Sequence, residues 1–456
     1  MTSAQATSVA GPRATDDGRT SVMWLSTIGF TLLFAVWLMF GVLGVPIRNE
    51  FGLSDLQLSW LMALAVLNGA IWRLAFGVLT DRVGGRKLFT AMMLATAVPT
   101  FLISQVNSYG QLLVLAFLVG LAGNAFSVGI AWNSAWFPKD RQGFALGVFG
   151  AGNVGASVTK LIGPTLIAMV PAAGLGGLVP GGWRFVPMLY SALLVAGAAM
   201  VWFGTPREDR RPGRGRPLPE MLAPLRQMRV WRFSLYYVVV FGAYVALSAW
   251  LPKYYVDVFS LELRDAALLT ALFIFPASLL RPVGGALSDR FGARRVMYWT
   301  FGLMLAATAL LSAPEGHIVL YLPAKVEADG LREVMHYRLG VWPFTLLVSL
   351  VGVAMGIGKA AVFKHIPEYF PKDVGAVGGL VGMLGALGGF FLPPLFAISQ
   401  AWLGLPQSTF FILFLITLAS ALWMHMTVLR MLGKAAPHLK HDIDHRQAPR
   451  VAASGD

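Results

Sequence analysis

The chain has 456 residues, of which 56% are hydrophobic and only 13% are charged, and its formal net charge is +14. Soluble domains contain about 25% charged residues. This composition, with a mean hydropathy of +0.66, therefore excludes an ordinary soluble protein and predicts an integral membrane protein. The chain has no cysteine, which excludes disulfide bonds and thiolate chemistry.

Apolar segments long enough to cross a membrane follow one another along the chain. About 20 apolar residues span the hydrocarbon core, and segments of this length predict about twelve membrane-spanning helices. They lie near 23–47, 57–80, 88–106, 112–136, 144–168, 185–203, 233–255, 267–287, 296–313, 341–367, 376–399 and 408–430. The predicted fold class is therefore an all-α integral membrane protein.

The polar segments between and around these spans predict the domain organisation. Polar tails occupy 1–22 and 432–456, and the longest connection, 204–231, is rich in Pro, Gly and Arg and indicates a flexible cytoplasmic linker. It divides the chain into an N-terminal six-helix bundle, 23–203, and a C-terminal six-helix bundle, 232–431. No cleavable signal peptide is apparent before the first span.

The distribution of basic residues predicts the orientation of the protein. Most of the 36 Lys and Arg residues fall on one side when both termini and the even-to-odd loops are placed in the cytoplasm. This bias predicts a multi-pass protein of the cytoplasmic (inner) membrane with both termini inside. Because no basic cluster with aromatic or motif support is visible, we expect no nucleic-acid partner.

One motif occurs at the end of span two and again at the end of span eight. Its matching positions are Arg73, Gly77, Leu79, Asp81, Arg82, Gly84 and Arg86 in the first half and Arg281, Gly285, Leu287, Asp289, Arg290, Gly292 and Arg294 in the second. The preserved direction indicates parallel halves related by an axis along the membrane normal. We predict that Asp81, Arg82, Asp289 and Arg290 form a gating latch on the inner side.

Arg73 and Arg281 lie inside hydrophobic spans. Arg73 precedes Asp81 by about 12 Å along a helix, and half of a hydrocarbon core is about 15 Å, so both arginines are expected near the midplane. A charge at that depth costs roughly 2.5–3.5 kcal/mol. Snorkelling to a headgroup or pairing with a buried carboxylate is one explanation. Since no Asp or Glu falls in the middle of a predicted span, we favour a bound anion.

The guanidinium group narrows the class of anion. Its planar fork donates paired hydrogen bonds to two coplanar oxygens, which a lysine ammonium does poorly. The two arginines therefore predict an oxyanion, and nitrate, nitrite, carboxylate and bicarbonate all satisfy this requirement. In span five, the amide of Asn153 can donate to such an anion without adding charge, whereas the nearby glycines are also explained by close helix packing.

Three motifs together resemble a known family. The loops after spans two and eight, Gly-x-x-x-Asp-Arg-x-Gly-x-Arg-Lys/Arg, are similar to the signature loop of the major facilitator superfamily. The glycine-rich segments 147–155 in span five and 378–390 in span eleven resemble the two signatures of the nitrate/nitrite porter family. The resemblance implies twelve transmembrane helices in two parallel, pseudo-symmetric six-helix bundles. It also implies a secondary active transporter that imports nitrate by alternating access.

The resemblance also implies a set of substrate contacts. These are Arg73, Arg281, Asn153, Phe126, Tyr237, Gly152 and Gly385. From sequence alone Phe126 and Tyr237 would more often be ordinary packing residues, so their assignment rests on the resemblance. We expect nitrate, or also nitrite, as the substrate, no cofactor or metal, and a monomer in the lipid bilayer.

Basic residues within two spans suggest a coupling ion. Span ten carries Lys359, Lys364 and His365, and span five carries Lys160. Such groups are costly in a span unless they line a wet path or titrate. Snorkelling towards the interface is the alternative, strongest for Lys364 and His365. The lysine-bearing span resembles the proton-coupled branch of the family, so nitrate/proton symport through these four candidates is predicted, with nitrate/nitrite antiport as the alternative.

Other classes of function fit the sequence less well. No catalytic motif is present, so we expect a transporter and no enzyme. Repeated halves with latch loops argue against a passive anion channel. A membrane enzyme of nitrate respiration would need haem, iron–sulfur or molybdenum ligands, and a multidrug or cation exporter would be expected to place carboxylates within the membrane.

Overall fold

A computed structural model describes residues 18–171, 173–174, 176, 179–210, 218–321, 331–370 and 373–435. In this part of the chain, ten helices are long and apolar enough to cross a membrane. Two further pairs of helices pass the same test together and meet at a bend. Counting each bent pair as one span, the structure has up to twelve, in agreement with the hydropathy prediction. The bounds of the two six-helix bundles, 23–203 and 232–431, remain a prediction.

The spans are named α1 to α12 in chain order. The first six are α1 (Arg19–Phe51), α2 (Asp55–Ile71 with Arg73–Val83), α3 (Gly85–Ile103), α4 (Tyr109–Trp136), α5 (Phe144–Met169) and α6 (Gly182–Gly204). The second six are α7 (Met228–Phe259), α8 (Leu263–Leu279 with Arg281–Phe291), α9 (Ala293–Ser312), α10 (Val341–Tyr369), α11 (Val374–Leu403) and α12 (Ser408–Met431). Short helices Leu218–Leu222 and Ala223–Arg226 precede α7, which begins inside the predicted linker.

Two glycines of the repeated motif end α2 and α8. Gly84 and Gly292 have φ angles of 96° and 85°, a backbone conformation that residues with a Cβ rarely adopt. Each glycine turns the chain directly into the next span, α3 or α9. The positive φ angle therefore explains why glycine occupies this position in both copies of the loop motif.

The bends in α2 and α8 were not predicted from the sequence. The helix axes change direction by 44° and 43° immediately before Arg73 and Arg281, respectively. In α2, the Nε atom of Arg73 donates a hydrogen bond to the carbonyl of Gly69 at 2.9 Å. In α8, Pro282 occupies the first turn of the new helix and has no N–H to continue the preceding one. Both arginines thus lie at the start of a new helical segment.

Glycines bring helices into close contact around α5. A Cβ on Gly155 would collide with the carbonyl oxygen of Thr31 in α1, whereas a Cβ on Gly147 would enter open space. The glycine motif of α5 therefore contains positions with different structural roles.

We expect Gly155→Ala to lower the melting temperature of the purified protein by several degrees, because overpacking a tight contact costs about 1–3 kcal/mol. Gly147→Ala is the matched control, and we expect it to leave the melting temperature unchanged or slightly raised, since alanine favours a helix. Equal melting temperatures for the two variants would contradict the assignment of Gly155 to this contact.

Two regions depart from a purely helical description. Strands β1 (Gly316–Tyr321) and β2 (Leu331–Tyr337) pair antiparallel between α9 and α10, and the sequence analysis predicted no strands. In the predicted linker, the carboxylate of Asp209 accepts hydrogen bonds from the indoles of Trp132 and Trp136 at 3.0 and 2.9 Å. The beginning of the linker is therefore held against α4.

Candidate functional site

Arg73 is the most completely buried arginine of the candidate site, with only 2% of the residue exposed. Besides its bond to Gly69, its Nη1 atom lies 3.4 Å from the carbonyl oxygen of Gly382 in α11. Its Nη2 atom is buried and has no hydrogen-bond partner among the described residues. One donor of this guanidinium is therefore left for a ligand.

Arg281 is partly buried and lies close to Phe126, as Arg73 does. The guanidinium carbons of Arg73 and Arg281 are 5.7 and 5.3 Å from the centre of the Phe126 ring. The buried Nη1 atom of Arg281 also has no hydrogen-bond partner among the described residues. The structure thus brings one arginine from each predicted half to a single phenylalanine of α4.

Further aromatic rings surround the two cations. The guanidinium carbon of Arg73 lies 5.5 Å from the ring centre of Trp37 and 5.1 Å from that of Phe241, and the guanidinium carbon of Arg281 lies 5.5 Å from that of Phe363. Ring faces stabilise cations modestly and bring no negative charge. They therefore hold the guanidinium groups without neutralising them.

Two polar side chains complete the cluster. Asn153 is 1% exposed, and both its amide nitrogen and its amide oxygen lack a hydrogen-bond partner among the described residues. The buried hydroxyl of Tyr237 approaches Arg281 without a hydrogen bond of good geometry and lies within electrostatic range of Arg73. Buried polar groups are normally hydrogen-bonded, so this concentration of unpaired donors indicates a ligand site.

No described carboxylate balances the charge of the site. Neither Arg73 nor Arg281 forms an ion pair with any residue that the structure describes. Two guanidinium groups in a buried, largely aromatic environment repel one another and favour an anion between them.

The two predicted glycine contacts have different surroundings. A Cβ on Gly385 would collide with the ring of Tyr237, so this glycine allows the tyrosine of α7 to pack against α11. A Cβ on Gly152 would lie 2.6 Å from the ring of Phe30 and 3.1 Å from the hydroxyl of Thr31 in α1. Both glycines therefore shape the walls of the site, and a direct contact with substrate stays a prediction.

The four predicted coupling residues do not form one cluster. Lys359 is fully buried, donates to the carbonyl of Ala277 at 2.9 Å and lies 3.2 Å from the centre of the Tyr244 ring. Arg281 is within electrostatic range of it. Lys160 is buried elsewhere, where it donates to the carbonyl of Leu38 at 3.2 Å. Of the two coupling candidates that are buried lysines, Lys359 is the one beside the anion site.

The other two coupling candidates lie near the inner end of α10. Lys364 is exposed and pairs with Asp289 at 2.5 Å, which makes it a partner of the predicted latch. His365 stacks on Phe233 at 5.6 Å, with its Nδ1 atom 3.7 Å from Glu368. The four candidates thus lie in different surroundings, and a role in proton coupling stays a prediction for each of them.

The remaining latch residues are unpaired or solvent-facing. Asp81 makes no hydrogen bond or ion pair with the described residues, and Arg82 and Arg290 are exposed. Arg290 lies 5.1 Å from the ring centre of Phe291. Among the described residues, Asp289 is the one latch residue with an ion pair, and this pair joins α8 to α10 within the second predicted half. A latch between halves stays a prediction.

An ion-pair network joins the opposite ends of the helices. Arg48 of α1 pairs with Asp55 of α2 at 3.0 Å and with Asp257 of α7 at 2.9 Å. Lys253 of α7 pairs with the same two carboxylates at 3.0 and 2.5 Å. Four charges thus cross-link α1 and α2 to α7 on the face predicted to be outer.

We expect Asp257→Asn to weaken the closure of this face, since the variant leaves both cations with one carboxylate. Of the two pairs that Asp257 makes, only the one with Arg48 joins α7 to another span, because Lys253 lies on α7 itself. At about 1 kcal/mol for that partly exposed pair, the open fraction should rise roughly fivefold. Because the chain has no cysteine, a single Ser248→Cys, buried beneath the network beside Gly41, reports opening through its rate of reaction with an impermeant maleimide. Asp265→Asn, exposed at the start of α8, is the control, and equal rates in both backgrounds would refute the closure.

The sequence analysis missed several residues of this site. Phe241 lies one turn after Tyr237, stacks on it at 5.0 Å and contacts Arg73. Phe363 follows Lys359 by one turn in the same way. The spacing of four residues, which places side chains on one helical face, could have indicated both. Trp37 could not have been found, because its indole bonds to the carbonyl of Ala65 in another span.

Comparison with known proteins agrees with this architecture. Residues 25–322 and 264–453 match the family model of the Major Facilitator Superfamily. A bacterial homologue of the human lysosomal transporter Spinster, in an inward-facing and occupied conformation, has a TM-score of 0.69 at 16% identity. The match covers 90% of this chain and 97% of that structure.

Sequence relatives narrow the family. A protein of Thermus thermophilus named probable nitrate/nitrite antiporter NarK1 is 72% identical, over 93% of this chain and 95% of its own length. A probable nitrate transporter NarT of Staphylococcus epidermidis is 30% identical, over 86% and 92%. A nitrite extrusion protein of Bacillus subtilis is 32% identical, over 82% and 86%.

The helices and the buried cationic site define a multi-pass membrane transporter rather than an enzyme. The chain belongs to the nitrate/nitrite porter family of the Major Facilitator Superfamily. The predicted family, fold class and non-enzymatic nature are thereby confirmed.

Proposed function

We propose that this protein imports nitrate across the cytoplasmic membrane by alternating access. The observation that carries the proposal is the pair of guanidinium groups that both lie next to the Phe126 ring, each with a buried N–H that the described residues leave unpaired. A flat monovalent oxyanion between them accepts hydrogen bonds from both forks. The names of the relatives from Thermus, Staphylococcus and Bacillus support nitrate and nitrite within this class.

The same geometry suggests how substrate permits movement. Arg73 belongs to α2 and Arg281 to α8, so their mutual repulsion resists closure of an empty site between the two halves. A bound anion removes that repulsion and accepts hydrogen bonds from Arg73, Arg281 and Asn153 at once. Occlusion then follows substrate binding, and the halves reopen on the opposite side.

Proton coupling is the energetic part of the proposal. Lys359 lies beside Arg281 and has a single carbonyl partner. A proton on its amine adds a third positive charge next to the anion, and the release of that proton removes it. Nitrate and proton binding therefore favour each other, which is the requirement for symport.

Nitrate/nitrite exchange is the second candidate. It is favoured by the name of the Thermus relative, which is 72% identical, and by the two arginines that discourage return of an empty carrier. In this mechanism nitrite occupies the same site on the way out, and Lys359 keeps a fixed protonation state.

Transport by the purified protein in liposomes separates these mechanisms. We expect saturable uptake of labelled nitrate that is driven by an acidic exterior without internal nitrite. Uptake that occurs only with internal nitrite would replace symport by exchange. A flux that does not saturate and shows no counterflow would overturn the carrier mechanism itself.

A further inference from the structure

A recess at the predicted cytoplasmic end of the second half collects polar groups that the transport mechanism does not use. Its polar lining includes Arg232, Tyr236, Arg294 and His365 together with Tyr369 and Thr427, and span α12 also contributes apolar residues such as Met431. Its volume is about 20 Å³, enough for one water-sized group. The recess therefore admits a single ligand atom, such as a phosphate oxygen, and the rest of the ligand stays outside it.

Two buried polar groups of this recess make no hydrogen bond with the described residues. Tyr236 is 1% exposed, and its hydroxyl has no hydrogen-bond partner among the described residues. His365 is 6% exposed, and its Nδ1 atom lacks a hydrogen bond as well. The stacking of its imidazole on Phe233, with an interplanar angle of 4°, fixes the ring in place. Two preorganised polar groups are thus available to an incoming ligand.

The charge around the recess is positive. Arg232 and Arg294 lie within electrostatic range of His365, and the guanidinium carbon of Arg232 is 5.4 Å from the centre of the Phe233 ring. The carboxylate of Glu368, 3.7 Å from His365, is half-exposed and does not line the recess. The lining therefore suits an anion.

Exposed apolar residues surround the recess. Exposed Trp231, Met426, Leu429 and Met431 lie at the same helix ends, and tryptophan is enriched at the membrane–water interface. Basic pockets between transmembrane helices on the cytoplasmic side bind anionic lipid headgroups. A small soluble anion would gain nothing from these apolar residues, whereas the acyl chains of a lipid would pack against them.

We propose that this recess binds the phosphate of an anionic phospholipid from the inner leaflet. The phosphate oxygen enters between Arg232 and Arg294 and accepts a hydrogen bond from the hydroxyl of Tyr236, while the acyl chains lie along α12. The bound lipid ties α7, α9, α10 and α12 together. This site is independent of the proposed substrate, because it lies away from Arg73 and Arg281.

Thermal unfolding of the purified full chain in detergent tests the proposal. Phosphatidylglycerol should raise the melting temperature by several degrees more than phosphatidylcholine does, and inorganic phosphate should not. The double variant Arg232→Gln/Arg294→Gln should lose at least half of this rise. The control Arg226→Gln/Arg295→Gln removes two exposed arginines from the same face and should keep it.

Two outcomes would overturn the lipid site. Equal lipid-induced shifts in the double variant and its control would show that the recess is not involved. A phosphate-induced shift that the double variant loses would assign the recess to a soluble oxyanion. Should the double variant fail to fold, Tyr236→Phe removes one hydroxyl alone, and native mass spectrometry should show fewer retained phosphatidylglycerol molecules than in the wild type.

Discussion

Replacing either Arg73 or Arg281 by lysine should reduce nitrate uptake by about 10–100-fold, although the positive charge is retained. Each guanidinium has a buried N–H without a partner, and a hydrogen bond to a charged group contributes about 1.5–3 kcal/mol, where 1.4 kcal/mol corresponds to tenfold. A lysine ammonium cannot donate the paired hydrogen bonds of a fork. Labelled nitrate uptake into proteoliposomes, corrected for the amount of folded protein, measures the effect.

The double variant should lose uptake altogether, since both sides of the ion would then lack a fork. Arg226→Lys and Arg295→Lys are matched controls, because both arginines are exposed and lie outside the site. Near-normal uptake by both single site variants would contradict a clamp of two guanidinium groups. A loss that is equal in the exposed controls would instead point to a general effect of the substitution.

The central arginines could be predicted because their cost in a membrane is large and local. A charged residue within an apolar segment can be recognised from the sequence alone. The motif around Arg73 is repeated around Arg281, which indicates that the two arginines occupy equivalent positions in the two halves. The same reasoning anticipated that no described carboxylate would pair with Arg73. Asn153 was found for a similar reason, as a polar residue among glycines.

The aromatic residues around the arginines were harder to predict than the arginines themselves, because their positions depend on which helices pack together. Trp37 belongs to α1, and only the fold brings it to Arg73. The pairing of Arg48 with Asp257 joins distant parts of the chain and has no local pattern. Long-range contacts of this kind depend on how the helices pack, and the hydropathy pattern along the chain does not indicate them.

Sequence reasoning also grouped basic residues that the structure separates. Lys160, Lys359, Lys364 and His365 looked alike because each interrupts an apolar helix. In three dimensions, Lys364 reaches an exposed carboxylate and His365 stacks on Phe233. The free-energy cost of burying a charge indicates that each buried lysine must have a stabilising partner. The sequence does not identify that partner, because it lies on another helix.

Replacing Lys359 by glutamine should uncouple nitrate uptake from protons. With an exterior about one pH unit more acidic, each coupled proton supplies about 1.4 kcal/mol, which corresponds to a tenfold accumulation. Lys359 is the buried lysine within electrostatic range of Arg281, and glutamine keeps a hydrogen-bond donor for the carbonyl of Ala277 but cannot take up a proton. The variant should therefore lose this accumulation and retain nitrate/nitrite exchange.

Lys87→Gln is the control, because this lysine is exposed after α2, and it should accumulate nitrate like the wild type. Unchanged accumulation in Lys359→Gln would remove Lys359 from the coupling mechanism and shift attention to Lys160. A wild type that exchanges nitrate for nitrite but never accumulates it against a pH gradient would favour antiport. In that case Lys359→Gln should change the affinity for nitrate alone, because the lysine would then act only as a third positive charge near the anion.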